Sequence, residues 1–173
     1  NILKLNTNEN PYPPSPNVVA AVQAVLENSA DALRLYPDPD ATALKQAIAK
    51  QQNVDVENVF VGNGSDEVLA HIFKAFFVQE KPILYPDITY SFYPVYSQFF
   101  GITEKTKILP LNDDFEIEVN DYKQPNGGII ITNPNAPTSI ALGLSAIEEV
   151  LQANPDSVVL IDEAYVDFGA ESA

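Results

Sequence analysis

Val158-Val159-Leu160-Ile161-Asp162-Glu163-Ala164-Tyr165 drives an aliphatic run straight into an acid and, three residues later, a tyrosine. An unbroken aliphatic run reads as a strand buried on both faces of a parallel sheet. Ligands of open α/β sheets gather beyond the carboxyl ends of such strands. Asp162 is therefore expected where a small molecule binds. An acid in that place also caps helices or serves metals, so the rest of the pattern has to decide.

Upstream, apolar runs alternate with helical stretches. Val59-Phe60-Val61, Ile83-Leu84-Tyr85 and residues 106–109, 128–132 and 157–161 read as strands, with helices expected over 65–77, 90–100 and 145–153. This interleaving predicts a mostly parallel sheet covered by helices on both faces. Residues 5–16 are rich in Asn and Pro and read as an extended arm. A helix follows over residues 18–26, with Pro16 near its first turn, where a missing N–H is harmless. Tyr36-Pro37-Asp38-Pro39-Asp40 is a turn, and Asp40 or Thr42 is expected to cap a second helix reaching about Gln52. The expected organisation is an arm over 1–17 and the first part of a larger domain over 18–173.

Composition narrows the classes. The 173 residues are 46% hydrophobic and carry a formal charge of −15, with nine scattered basic residues. That argues against a nucleic-acid surface, which needs clustered cations to displace phosphate counterions. The absence of Cys removes disulfides, thiolate chemistry and Cys-based zinc sites. The single His, His71, makes a His-ligand metal centre implausible and is read as packing at a helix edge. No window approaches the roughly 18 apolar residues of a membrane span, and no signal-peptide layout opens the chain. A soluble cytoplasmic protein is expected. The chain starts at Asn1, contains no Met and stops shortly after the Asp162 strand, so a piece of a longer polypeptide with an incomplete sheet is expected.

Several segments carry chemistry. Gly62-Asn63-Gly64-Ser65-Asp66-Glu67 joins a strand to a helix whose Val68, Leu69, Ile72, Phe73, Phe76 and Phe77 form one stripe. Free N–H groups of the first turn and the positive end of the helix dipole suit a phosphate, although a plain turn capped by Ser65 explains the same residues. The segment lacks the Lys of a nucleoside-triphosphate loop and the spacing of a dinucleotide loop. Tyr90, expected to open the next helix, offers a ring to stack on a planar group or serves the core. Asn133-Pro134-Asn135-Ala136-Pro137-Thr138 follows a strand and is stiffened by two prolines, which admit cis bonds. Such stiffness suits a side-chain amide that must meet a fixed oxygen. If the bound group carries a pyridine nitrogen, Asp162 would keep it protonated through an ion-paired hydrogen bond, and Tyr165, three residues on, could place its hydroxyl near a ring oxygen, with Glu163 on the opposite side if the strand geometry continues.

Taken in order, with Leu35-Tyr36-Pro37-Asp38-Pro39 and the opening Asn6-Thr7-Asn8-Glu9-Asn10-Pro11, these segments resemble the first half of a pyridoxal-phosphate aminotransferase of the histidinol-phosphate aminotransferase family. The resemblance implies an α/β, aminotransferase-like (fold type I) large domain, with a mostly parallel sheet flanked by helices, incomplete in this chain. It implies pyridoxal 5'-phosphate as cofactor, held by the backbone at Ser65 and Asp66, stacked on Tyr90, contacted by Asn135 and Tyr165, and bound at its ring nitrogen by Asp162. It also implies that Tyr36 reaches the partner subunit's site in a homodimer, that the arm with Asn8 and Glu9 covers the substrate, and that the reaction is amino transfer from histidinol phosphate to 2-oxoglutarate in histidine biosynthesis. Another fold type I aminotransferase, an amino-acid-phosphate decarboxylase or a non-catalytic half-domain are the competing readings. The family's catalytic lysine follows the Asp162 strand, whereas all eight lysines here precede it. Leu35, Ala136 and Ser139 depart from the family's frequent Arg, Asn and Gly, and a Gly at 139 would permit positive φ.

Overall fold

The computed structural model describes Lys4 and residues 6–173. Asn1, Ile2, Leu3 and Leu5, at the start of the expected arm, lie outside the described residues. The chain divides into two units, Asn1–Val61 and Gly62–Ala173.

In the first unit, residues 6–15 bend without regular structure, and Ser15 then caps helix α1 (Pro16–Asn28) by accepting the Val18 N–H at 3.4 Å. Pro16 occupies the first turn, as expected. Helix α2 (Thr42–Gln52) begins where expected, but neither Asp40 nor Thr42 caps it. Asp38 does, accepting the N–H groups of Thr42 at 2.8 Å and Asp40 at 3.1 Å. The reason is local: Ala41 turns left-handed at φ 49°, which brings the carboxylate of Asp38 back over the first turn. Those two N–H groups hold the Asp38 carboxyl below its ordinary value. Val59-Phe60-Val61 is a correction. Val59 is extended, yet the segment joins no ladder with the four strands, because an apolar run becomes a strand only where a neighbour supplies hydrogen bonds.

The second unit holds one four-stranded sheet in the order β2-β1-β3-β4, with every pair parallel. Helix α3 (Gly64–Ile72) runs into a π-helical turn, Phe73–Phe77, and is followed by strand β1 (Ile83–Pro86). Helix α4 (Tyr93–Phe99) starts later than expected, so Tyr90 lies in the β1–α4 loop. Pro94 has no N–H and fits only the first turn, which fixes where the helix begins. Strand β2 (Thr106–Leu109), strand β3 (Gly128–Thr132), helix α5 (Leu144–Ala153) and strand β4 (Val159–Asp162) fall close to the expected positions.

Alternation along the strands builds two cores. Ile83, Tyr85 and Ile130 pack on one face with Leu69, Phe73, Phe77, Tyr93 and Tyr96. Leu84, Ile129 and Ile131 pack on the other with Leu109, Tyr122 and Val150. The two central strands, β1 and β3, are buried throughout, whereas β4 is only half-buried. Its aliphatic run had predicted burial on both faces; with β3 as its one partner among the described strands it stands at the sheet's edge. Across α3 and the π-helical turn the expected stripe buries Leu69, Phe73 and Phe77 but leaves Phe76 half exposed.

Candidate functional site

The chain runs from β1 outward to β2 and then returns past β1 to β3, so successive connections diverge between β1 and β3. The crevice beyond the carboxyl ends of β1 and β3 is where such sheets hold ligands. Four segments of the second unit meet there: the start of α3, the β1–α4 loop, the loop after β3, and the end of β4.

At the start of α3, Gly64 takes φ 79° with open space beyond it, a conformation suited to glycine. Gly62 lets the turn press on the helix, since a Cβ there would stand 2.9 Å from Val68 Cγ2. Asn63, not Ser65, holds the cap position, and its side chain makes no capping bond. Glu67 accepts the Asn63 N–H. Ser65 and Asp66 lie in the exposed first turn, whose N–H groups have no partner within a helix. Asp66 is tied to the aromatic cluster twice: its carboxylate accepts the Tyr90 hydroxyl at 2.8 Å and its carbonyl accepts the Tyr96 hydroxyl at 2.7 Å.

The Tyr90 ring meets the Tyr93 ring edge-on, with centroids 5.5 Å apart. Burial, then the bond to Asp66 and its negative charge, push the Tyr90 phenol well above its ordinary range. Tyr93 is fully buried, and its hydroxyl donates to Asp162 Oδ2 at 2.8 Å while lying 2.7 Å from Thr132 Oγ1. Burial and the Asp162 charge likewise raise the Tyr93 phenol, so it is a neutral donor. Asp162 Oδ1 accepts the Ala164 N–H at 3.3 Å.

In the loop after β3 both proline bonds, Asn133-Pro134 and Ala136-Pro137, are cis. Asn133 is fully buried and brackets the loop, exchanging side-chain bonds with the Leu142 carbonyl at 3.1 Å and the Leu142 N–H at 2.7 Å. The Asn135 amide donates to the Ile88 carbonyl at 2.9 Å and Thr138 Oγ1 at 3.0 Å, and its oxygen accepts from Thr89 at 2.9 Å. Thr89 also lies 3.0 Å from Thr132. Both amide hydrogens are engaged, so Asn135 can donate to a ligand only by exchanging one of these bonds. Ser139 follows at φ 64°, the conformation for which glycine is the favoured residue.

The structure thus gathers Asp66, Tyr90, Asn135 and Asp162 through contacts within one unit, with Ser65 beside Asp66 in the first turn of α3. Tyr165 is half-buried in the turn after β4, and Glu163 turns to the tail, accepting from Ser172 at 2.7 Å. Tyr36, Asn8 and Glu9 belong to the first unit: Tyr36 is 100% exposed, Asn8 stands at φ 51°, and Glu9 pairs with Lys4 at 3.3 Å. His71 is exposed on the last turn of α3. Among the described residues no cluster of His, Cys, Asp and Glu is able to hold a metal, and no helix is long and apolar enough to cross a membrane. Sequence reasoning passed over Tyr93 and Thr132. Tyr93 had one usable signal, its place three residues beyond Tyr90.

The model of the family described as aminotransferase class I and II matches residues 1–173. The histidinol-phosphate aminotransferase of Acinetobacter baumannii (strain SDF) is 83% identical over 173 residues, covering 100% of this chain and 47% of that protein. The enzyme of the same name from Acinetobacter baylyi is 78% identical with the same coverage. The chain spans about half the length of the curated relatives it matches. Among solved structures, histidinol-phosphate aminotransferase from Sinorhizobium meliloti in complex with pyridoxal-5'-phosphate superposes with a TM-score of 0.72 at 23% identity, over 93% of this chain and 44% of that one.

Proposed function

The chain belongs to the aminotransferase class I and II family, and we propose that the full-length protein uses pyridoxal 5'-phosphate to transfer the amino group of histidinol phosphate to 2-oxoglutarate in histidine biosynthesis. The observation that carries this reading is Asp162, held at the carboxyl end of β4 by a buried tyrosine hydroxyl, beside the loop that bears Tyr90 and the start of α3. The donor set fits the cofactor's three poles. First-turn N–H groups at Ser65 and Asp66 suit its phosphate, the Tyr90 ring suits its planar face, and Asp162 suits a protonated ring nitrogen.

When bound, the cofactor supplies an electron sink for the pair left at the substrate α-carbon. Asp162 holds the proton on the ring nitrogen that makes the sink effective. Tyr165 and Asn135 orient the ring through its oxygen, Asn135 by giving up one of its loop bonds. Asn8 and Glu9 contact the substrate from the arm, and Tyr36 serves the partner subunit of a cytoplasmic homodimer. What supports the role of Tyr36 is its full exposure in a proline-bounded turn. In this reading the family's cofactor-bonding lysine and its arginine for the substrate's anionic group are none of the residues described above.

The test is reduction of the full-length protein with borohydride, peptide mapping, and assay of histidinol phosphate with 2-oxoglutarate against decarboxylation of amino-acid phosphates. The expected outcome is cofactor fixed to a lysine outside this sequence, with transamination as the activity. Attachment to any of Lys4, Lys45, Lys50, Lys74, Lys81, Lys105, Lys107 or Lys123 overturns the assignment.

A further inference from the structure

We propose that Tyr93, backed by Thr132, is a positioning residue that sets the carboxylate plane of Asp162 by gripping Oδ2 and leaving Oδ1 directed to the ligand side. The inference rests on the cofactor reading above and adds residues that touch no ligand themselves.

The geometry points to this in three ways. First, Tyr93 comes from α4 and Asp162 from the end of β4, 69 residues apart, so their 2.8 Å bond exists only because the sheet brings them together. Second, the phenol is clamped. Its ring is fully buried, 5.9 Å from Tyr85 and 6.4 Å from Phe73 by centroids, and its oxygen is fixed from behind by Thr132 at 2.7 Å. Third, Asp162 itself is half-buried on an edge strand, and its other described side-chain bond, Ala164 N–H to Oδ1, is a long 3.3 Å. Without Tyr93 little restrains rotation about its Cβ–Cγ bond, a broad torsion with no strong intrinsic preference. A side chain that must meet a flat ring edge-on needs such restraint, since catalytic groups lose much of their effect when misplaced by about 1 Å.

Thr132 extends the grip. It is the last residue of β3, pairs in register with Asp162 across the β3–β4 ladder, and is buried. The strand pairing that builds the sheet therefore also places the hydroxyl that steadies Tyr93.

The experiment compares full-length wild type with Tyr93→Phe, Thr132→Val and Thr132→Ser, each loaded with cofactor and also prepared without it. Expected for Tyr93→Phe is a kcat lowered about tenfold or more by loss of a bond to a charged group, with KM changed by less than about twofold. The visible band of the bound cofactor shifts, while the far-ultraviolet circular dichroism of the cofactor-free protein is unchanged. Thr132→Val shows the same signature more weakly, and Thr132→Ser, which keeps the hydroxyl, restores wild-type behaviour. Tyr93→Phe with an unaltered visible band and unaltered kcat, or with losses matched by Thr132→Ser, overturns the proposal. A wild-type protein that takes up no cofactor refutes the functional reading and this inference with it; a coloured, active wild type with an indifferent Tyr93→Phe refutes this inference alone.

Discussion

Replacing Ser139 by glycine is expected to stabilise the protein. Ser139 stands at φ 64°, where the Cβ of an L-residue crowds the backbone at a cost of about 1–2 kcal/mol. Its side chain is exposed, and its N–H closes the turn by donating to the Asn135 carbonyl at 2.7 Å. Glycine keeps that bond. Against the relief stands glycine's greater freedom in the unfolded chain, about 0.4–1 kcal/mol. The midpoints of the two ranges leave about 0.8 kcal/mol in favour of Ser139→Gly, a rise in melting temperature of about 2–3 °C. Calorimetric melting of the full-length protein, with Ser139→Ala and Ser139→Val as controls, measures it. Alanine keeps the Cβ and gains nothing, whereas valine, β-branched, loses stability. A glycine variant that melts at or below wild type would show that the turn is unstrained and that the reasoning is wrong.

Gly128→Ala should destabilise by about 1–3 kcal/mol through overpacking, because its Cβ would lie 2.4 Å from Cε1 of the fully buried Phe77; combination with Phe77→Leu should recover part of the loss in denaturant melts, and simple additivity would refute the clash. Asp162→Asn should retain cofactor yet lose roughly ten- to a hundredfold in turnover, as a charge-assisted bond becomes a neutral one; near-wild-type turnover would make Asp162 structural. Asp38→Ala should fray the start of α2, seen as faster amide exchange at Thr42. Because the folded Asp38 carboxyl is held below its ordinary 3.8, the charge-dependent part of its contribution is complete above that value and fades as the pH falls through the lowered folded value, so the difference between wild type and variant must shrink in strong acid. Mixed dimers of Tyr36→Phe with a variant lacking the catalytic lysine should regain activity neither parent has, provided Tyr36→Phe is itself severely impaired; no recovery after verified subunit exchange would place Tyr36 in no partner's site.

What the sequence made legible follows the range of the forces involved. The strands β1, β2, β3 and β4 could be read because their aliphatic content is a local property, and Asp162 because the end of such a run is a place in the fold. Val59-Phe60-Val61 has the same local property and was misread, since pairing requires a neighbour that local sequence does not reveal. Tyr90 is expected on a helix from the alternation of strands and helices, whereas Pro94 must lie in a first turn and so holds the start of α4 at Tyr93. Asp38 escaped notice as a cap because it acts from four residues before Thr42, through a left-handed Ala41. Tyr93 was passed over because its partner lies 69 residues away, and no periodicity encodes a bond between a hydroxyl and an acid on different elements.

Hydrogens, counted one by one, give the row from Asn135 to Asp162 a further property. Four contacts run through Thr89, Thr132 and Tyr93, and each of the three hydroxyls owns a single hydrogen. The amide oxygen and the carboxylate at the two ends only accept, so Thr89 and Tyr93 spend theirs outward. Thr132 is left with one hydrogen between two claimants. Turned toward Tyr93, it polarises that phenol and strengthens its hold on the acid; turned toward Thr89, it stiffens the proline loop and leaves the phenol unaided. The acid and the loop therefore compete for one rotor, and firmness at one end of the row is gained at the expense of the other.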